Sequence, residues 1–157
     1  MALPPVGSHA PGFSLPDQDG TIRTLADYHG TWVLVYFYPK DDTPGCTKEA
    51  CALRDADPDF SALDAVVLGI SADSVKAHKK FVEKYSLPFA LLADEDKTVV
   101  HAYGVWGRKK LMGREYDGII RTSFLIDPEG KIAKIYEHVK PATHADEVLA
   151  DLKELQK

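Results

Sequence analysis

The run Trp32-Val-Leu-Val-Tyr-Phe-Tyr38, followed by Pro39-Lys-Asp-Asp-Thr43-Pro44-Gly45-Cys46-Thr-Lys-Glu49-Ala-Cys51, decides the fold. Its first seven residues are continuously apolar or aromatic and lie between Gly30 and Pro39, the pattern of a central strand covered on both faces. Thr43-Pro44 then predicts a helix start, with Thr43 at the N-cap and Pro44 at the first helical position, where a missing N–H is no loss. Asp57-Pro58 marks the expected end of that helix. The next apolar run, Ala65-Val-Val-Leu-Gly-Ile70, completes a strand, helix, strand crossover.

Outward from this unit, Ala77, Phe81 and Tyr85 recur every four residues with lysines between them, which predicts an amphipathic helix from Ser74 to Tyr85. Phe89-Ala-Leu-Leu92 reads as a third strand, and a shorter helix carrying Val99, Val100 and Tyr103 is expected after Asp94. The stretch from Trp106 to Gly118 is polar and has no decisive periodicity. Arg121-Thr-Ser-Phe-Leu-Ile-Asp127 and Lys131-Ile-Ala-Lys-Ile-Tyr136 flank Asp-Pro-Glu-Gly, the signature of a hairpin with a tight turn. From Thr143, with Asp146 three residues on, a last helix aligns Val148, Leu149, Leu152 and Leu155 on one face. Near the N-terminus, Phe13-Ser-Leu15, Asp19-Gly20 and Thr21-Ile-Arg-Thr24 predict a small hairpin. The order implies an α/β protein of thioredoxin-like fold, with a central mixed sheet flanked by helices and a small N-terminal hairpin, in one domain over residues 1–157. Fold analogy alone establishes no activity.

At 157 residues, with 45% hydrophobic and 27% charged, the chain is large enough for a core of its own. The net charge is -5 and the basic residues are scattered apart from Arg108-Lys109-Lys110, which argues against a nucleic-acid partner. No apolar run is long enough to span a bilayer, and the N-terminus has neither the basic flank nor the apolar segment of a signal peptide. A cytoplasmic protein with no membrane partner is expected. Only two cysteines are present, which is not the framework of a disulfide-stapled secreted domain. In a reducing compartment such a pair points to redox or metal chemistry, or to none. His9, His29, His78, His101, His138 and His144 show no ligand spacing with one another or with the cysteines, so no metal site is expected and most should be exposed.

The chemistry lies where the central strand hands over to the helix, the carboxyl end at which open α/β sheets build their sites. Cys46 falls in the first helical turn, where unpaired N–H groups and the positive dipole end favour a thiolate. Gly45 leaves the approach to the sulfur open, and Pro39 and Pro44 stiffen the loop. A free cysteine is only roughly 3% ionised at pH 7, so full ionisation gains about thirtyfold, close to 2 kcal/mol. Enzymatic acceleration is far larger, so other groups must stabilise the charge that develops in the transition state. The Thr43 hydroxyl is placed to donate to the substrate. A guanidinium would both hold the thiolate and polarise the bond it attacks, and Arg121, at the start of a strand expected beside the central one, is the candidate. Glu49, one turn after Cys46, is placed to orient it.

Pro-x-x-x-Thr-x-x-Cys from Pro39 to Cys46 resembles the peroxiredoxin active-site motif. Thr-Pro-Gly-Cys-Thr-x-x-x-Cys is similar to the bacterioferritin comigratory protein, or peroxiredoxin Q, branch, and the likeness continues through Arg121-Thr-Ser-Phe-Leu-Ile-Asp. The resemblance implies a peroxidatic Cys46, a resolving Cys51, and Thr43 and Arg121 as the activating pair; Glu49 is its least secure carry-over. It also implies a hydroperoxide substrate, a thioredoxin-type reductant, and no bound metal, flavin or haem. A resolving cysteine in the same chain removes the chemical need for a dimer, so a monomer is expected. Residues five apart in a regular helix have Cα atoms about 8.6 Å apart on nearly opposite sides. A disulfide needs roughly 4.4 to 6.8 Å, so the first turns must unwind once Cys46 is oxidised, from a reduced state with Cys51 poorly exposed.

Taken singly, each of these residues has a plainer reading: a buried cysteine as a small hydrophobe, Thr43 as a cap, Arg121 as a surface ion pair, Glu49 as a solvated carboxylate. Trp32, Tyr36 and Phe37 are expected in the core. A thiol-disulfide oxidoreductase is the nearest rival class, but it normally uses Cys-x-x-Cys, whereas four residues separate this pair. A non-catalytic redox sensor is the other.

Overall fold

The computed structural model describes residues 2–157. Five strands form the central sheet: β3 (Trp32–Phe37), β4 (Ala65–Ser71), β5 (Ala90–Ala93), β8 (Thr122–Ile126) and β9 (Ile132–Tyr136), in the order β5-β4-β3-β8-β9. β3 pairs in parallel with β4, and β4 with β5, while β8 and β9 run antiparallel, so the sheet is mixed as expected. The parallel pairs are joined by α1 (Pro44–Ala62) and α2 (Val75–Tyr85). The β8–β9 turn is Asp127-Pro-Glu-Gly130, in which Asp127 Oδ1 accepts from the backbone N–H of Glu129 and of Lys131. The N-terminal hairpin is also present, as β1 (Ser14–Pro16) and β2 (Ile22–Thr24).

Period-two alternation along β3 divides the core between the two faces of the sheet. Leu34 and Tyr36 face Leu53 and Phe60 of α1, Phe81 of α2, and Val148 and Leu152 of α4 (His144–Leu155). Val33, Val35 and Phe37 face Val99 and Val100 of α3 (Thr98–Ala102), Tyr103 just beyond it, and Phe124. Tyr36 and Phe37 are fully buried, and Trp32 packs against the core from a half-buried position.

Several expectations are corrected. α1 does not stop at Asp57-Pro58 but runs to Ala62 with Pro58 inside it. Pro58 lies on the exposed face, so the carbonyl its missing N–H leaves free can be hydrated, while fully buried Phe60 holds the next turn to the core. Residues 106–118, which show no clear pattern in sequence, form a hairpin of β6 (Trp106–Leu111) and β7 (Arg114–Ile119). Its two-residue turn, Met112-Gly113, has positive φ at both positions. Met in place of the usual Asn or Asp hides that turn from a sequence reading. Thr143 precedes α4, but its backbone is αR and its side chain makes no capping bond, so the expected capping box is not formed. Leu155 is exposed at the fraying end of the same helix. Among the histidines, His78 and His144 are buried and the other four exposed.

Candidate active site

α1 begins where expected. Pro44 is its first residue, Thr43 takes the extended N-cap backbone, and Thr47 N–H donates to Thr43 O at 2.8 Å. The Thr43 hydroxyl, however, makes no capping bond and donates to Lys40 O at 2.8 Å. Its hydrogen is thus directed into the loop in the resting structure, and donation to any other acceptor requires the hydroxyl to release Lys40 O by turning about Cβ–Oγ1. Pro39 is half-buried at the base of this loop.

Cys46 and Glu49 are three residues apart on α1, so they share its inner face; they are 1% and 0% exposed. Arg121 reaches both from the sheet. The β3–β8 register pairs Phe37 with Thr122, which puts Arg121 just past the carboxyl end of β3, and its backbone carbonyl accepts from Val139 N–H at 3.1 Å. Its Nη2 donates to Cys46 Sγ at 3.3 Å and its Nη1 to Glu49 Oε1 at 2.6 Å. One guanidinium therefore bridges the sulfur and the carboxylate, a two-point contact that lysine does not reproduce.

The electrostatics follow from burial. Burial pushes the Glu49 carboxyl up to about 7, against the opposing pull of Arg121, and Glu49 Oε2 has no hydrogen-bond partner. For Arg121, burial lowers the pKa, but the charges of Glu49 and Cys46 outweigh it and hold the guanidinium above its ordinary value. A Cβ built on Gly45 would lie 3.1 Å from Arg121 Nη2, so the absence of a side chain there leaves room for the guanidinium as well as for a substrate.

Cys51 is half-buried, more accessible than expected, and both cysteines are free thiols in a continuous α1. Arg54 and Arg114 lie away from Cys46: Arg54 pairs with Asp55 and with Tyr85 O, and Arg114 is exposed on the β6–β7 hairpin. The sequence reading missed two features. The first is Lys109, whose ammonium donates to Ile119 O at 2.9 Å; burial and the charge of Arg121 lower its pKa. It lines, with Arg108, Lys110, Ile120, Arg121, His138 and Val139, an open cleft of about 390 Å³. A larger groove of about 630 Å³ between β9 and α4 contains neither cysteine. The second is a buried network of Tyr38, Asp41 and His78 under the loop, which polar letters scattered over forty residues do not announce.

The sequence matches the AhpC/TSA family over residues 6–135. A putative peroxiredoxin bcp of Coxiella burnetii is 53% identical over 147 residues, covering 94% of this chain and 97% of that protein. Peroxiredoxin Bcp of Escherichia coli is 52% identical over 148 residues, covering 94% of this chain and 95% of its own. Among solved structures, a cysteine-to-serine mutant of Xylella fastidiosa PrxQ has a TM-score of 0.94 at 35% identity, with 100% of both chains covered. Xanthomonas campestris peroxiredoxin Q has a TM-score of 0.87 at 41% identity, with 92% of each covered. Family match, identity over nearly the whole length and common fold agree, and the chain belongs to the AhpC/TSA family, in its Bcp or peroxiredoxin Q branch.

Proposed function

We propose that the chain is a thioredoxin-dependent thiol peroxidase in which Cys46 is the peroxidatic residue and Cys51 the resolving one. The observation that carries this is the contact of Arg121 Nη2 with Cys46 Sγ at 3.3 Å in the first turn of α1. The helix N-terminus and the guanidinium both stabilise negative charge on sulfur, and the second arm of Arg121 is held by Glu49 so that the fork cannot swing away.

The Cys46 thiolate attacks the terminal oxygen of a hydroperoxide; the S–O bond forms as the O–O bond breaks. The leaving alkoxide, or hydroxide from hydrogen peroxide, takes a proton to become alcohol or water. Arg121 and Thr43 interact with the peroxide oxygens during this step, and Pro39 keeps the loop that carries Thr43 stiff. The Cys51 thiol then displaces water from the Cys46 sulfenic acid to give the intramolecular disulfide. A dithiol reductant of the thioredoxin type restores both thiols and is itself oxidised to a disulfide. No bound cofactor enters this cycle. Ile120 and Val139 give the cleft beside Arg121 apolar wall, which suits an alkyl hydroperoxide. A bacterioferritin comigratory protein of Xanthomonas campestris, 41% identical, is described by its alkyl peroxide reduction activity. The same reading makes residues 1–157 one domain, active as a monomer because both cysteines are in one chain. It places the protein in the cytoplasm, where such a reductant is supplied. Among the described residues no helix is long and apolar enough to cross a membrane.

Peroxide consumption coupled to thioredoxin and thioredoxin reductase tests this, with insulin reduction measured beside it. The expected result is robust peroxide turnover, abolished by Cys46→Ser, with little insulin reduction. Cys51→Ser should complete one oxidation and leave a sulfenic acid that dimedone labels. Equal peroxide reactivity of the two single mutants would reverse or erase the assignment.

A further inference from the structure

We propose that His78 is a positioning residue for peroxide reduction: buried beneath the loop that leads into Cys46, it holds Asp41, and through Asp41 the backbone that presents Thr43 and Cys46. This rests on the reading of Cys46 as the peroxidatic residue. Asp41 is the middle residue of the Pro39–Thr43 loop and is 9% exposed. Its Oδ1 accepts from Tyr38 OH, and its Oδ2 lies 2.6 Å from His78 Nδ1. His78 is fully buried, with Nε2 3.0 Å from Leu92 O. A carbonyl only accepts, so Nε2 carries a hydrogen, and the Nδ1–Oδ2 contact is closed by one further hydrogen between the two atoms.

The rest of the loop is gripped from the same side. Asp41 N–H donates to Asp73 Oδ2 at 2.9 Å, and Ser71 OH donates to that same oxygen at 2.6 Å. Asp42 has φ +57, a left-handed backbone uncommon for a residue with a side chain. Its carboxylate accepts from Lys84 Nζ at 2.8 Å and Tyr85 OH at 2.9 Å. Every one of these partners outside residues 38–43 comes from the end of β4, from the turn between β4 and α2, from α2 or from β5. None comes from α1. The loop is thus anchored to elements that need not move when α1 unwinds, and unwinding can begin at Thr43 with residues 39–42 held.

Ligand atoms of Asp41, Asp73 and His78 lie within 4.8 Å of one another, a spacing compatible with a cation. Hydrogen bonds already occupy both oxygens of Asp41 and both ring nitrogens of His78, so the cluster is read as a latch. With the latch removed, the loop samples arrangements in which Thr43 and Cys46 are misplaced toward the peroxide. The first oxidation then slows, whereas disulfide formation, which needs the helix open, is not slowed.

Single-turnover stopped-flow measurements, with the oxidation of Cys46 and the formation of the disulfide resolved as separate phases, test this on the full chain. His78→Leu is expected to lower the rate constant of the first phase at least tenfold and leave the second unchanged or faster. His78→Asn, whose amide N–H can replace Nδ1 toward Asp41, is expected to recover most of the first phase. A first phase within twofold of wild type in His78→Leu overturns the proposal, and so does equal slowing of both phases, which marks a merely structural role. If His78→Leu does not fold, Asp41→Ala, which removes both latch contacts, carries the same two-phase test with the same expected loss confined to the first phase. Cys46→Ser run in parallel separates the failures: if it still turns over peroxide, the peroxidatic assignment fails; if it is inert while His78→Leu is normal, only the latch fails.

Discussion

Arg121 and Cys46, 75 residues apart in sequence, meet through a contact of 3.3 Å between Nη2 and Sγ, with the other arm of the guanidinium on Glu49. Lysine at position 121 would keep the charge and lose the fork. Arg121→Lys is therefore expected to slow oxidation of Cys46 by hydrogen peroxide about 10²- to 10³-fold, the range for losing one preorganised donor to a transition state. Thr43→Val should slow it less, because the Thr43 hydrogen is committed to Lys40 O in the resting state. Stopped-flow kinetics on both variants check this, with circular dichroism to show that the fold is kept. A wild-type rate constant in Arg121→Lys would remove Arg121 from the mechanism.

Gly45 acts by what it lacks. A Cβ there would stand 3.1 Å from Arg121 Nη2, closer than ordinary contact, so the guanidinium must give way by a few tenths of an ångström. Gly45→Ala should cost about tenfold in the same rate constant, since small displacements of a positioned donor are expensive. Gly12→Ala, where nothing lies within 4 Å of the added carbon, is the control and should be silent. Equal rates in the two variants would show that the guanidinium is not held against the helix.

Glu49 makes stability depend on pH in a definite direction. Its carboxyl is raised to about 7 by burial, from an ordinary 4.5. Between those values the folded chain keeps a proton that the unfolded chain has released, so the contribution is full below about pH 4.5 and is lost as pH rises through 7. Glu49→Gln removes this titration. Denaturant unfolding at a series of pH values should show the wild type losing, relative to Glu49→Gln, on the order of 3 kcal/mol between pH 4 and 8. A difference independent of pH would mean that Arg121 keeps Glu49 ionised throughout.

Disulfide formation must disturb α1, which is continuous from Pro44 to Ala62 while both thiols are free. Two residues five apart in such a helix are about 8.6 Å apart at Cα, beyond disulfide reach. Hydrogen exchange should therefore be faster across residues 44–55 in the intramolecular disulfide than in the dithiol, with residues 65–71 of β4 unchanged. Equal protection in both, with redox state confirmed by mass, would contradict local unwinding. Slower unwinding leaves the sulfenic acid exposed to a second peroxide, so osmolytes that stabilise the helix should increase over-oxidation.

Elements whose signals are local are legible from the residues alone. The apolar run from Trp32 to Tyr38, the Thr43-Pro44 helix start and the Asp127-Pro-Glu-Gly130 turn are each fixed by chemistry within a few residues, and the structure forms all three, the strand ending one residue early at Phe37. The cysteine pair, with its glycine and prolines, was equally visible because it is contiguous. Features that depend on what packs against what were decided by tertiary structure alone. Pro58 stays helical because Phe60 has a core to enter, the Met112-Gly113 turn forms on an exposed hairpin that no apolar pattern announces, and the Thr43 hydroxyl turns to Lys40 instead of capping its helix. Arg121 was nominated from sequence, but only the β3–β8 register brings it onto Cys46 and Glu49 together. The latch of Asp41 and His78 was illegible for the same reason. A histidine and an aspartate 37 residues apart become partners only when α2 is packed over the loop, and a buried polar pair is written in the fold's enclosure of it, not in the spacing of its letters.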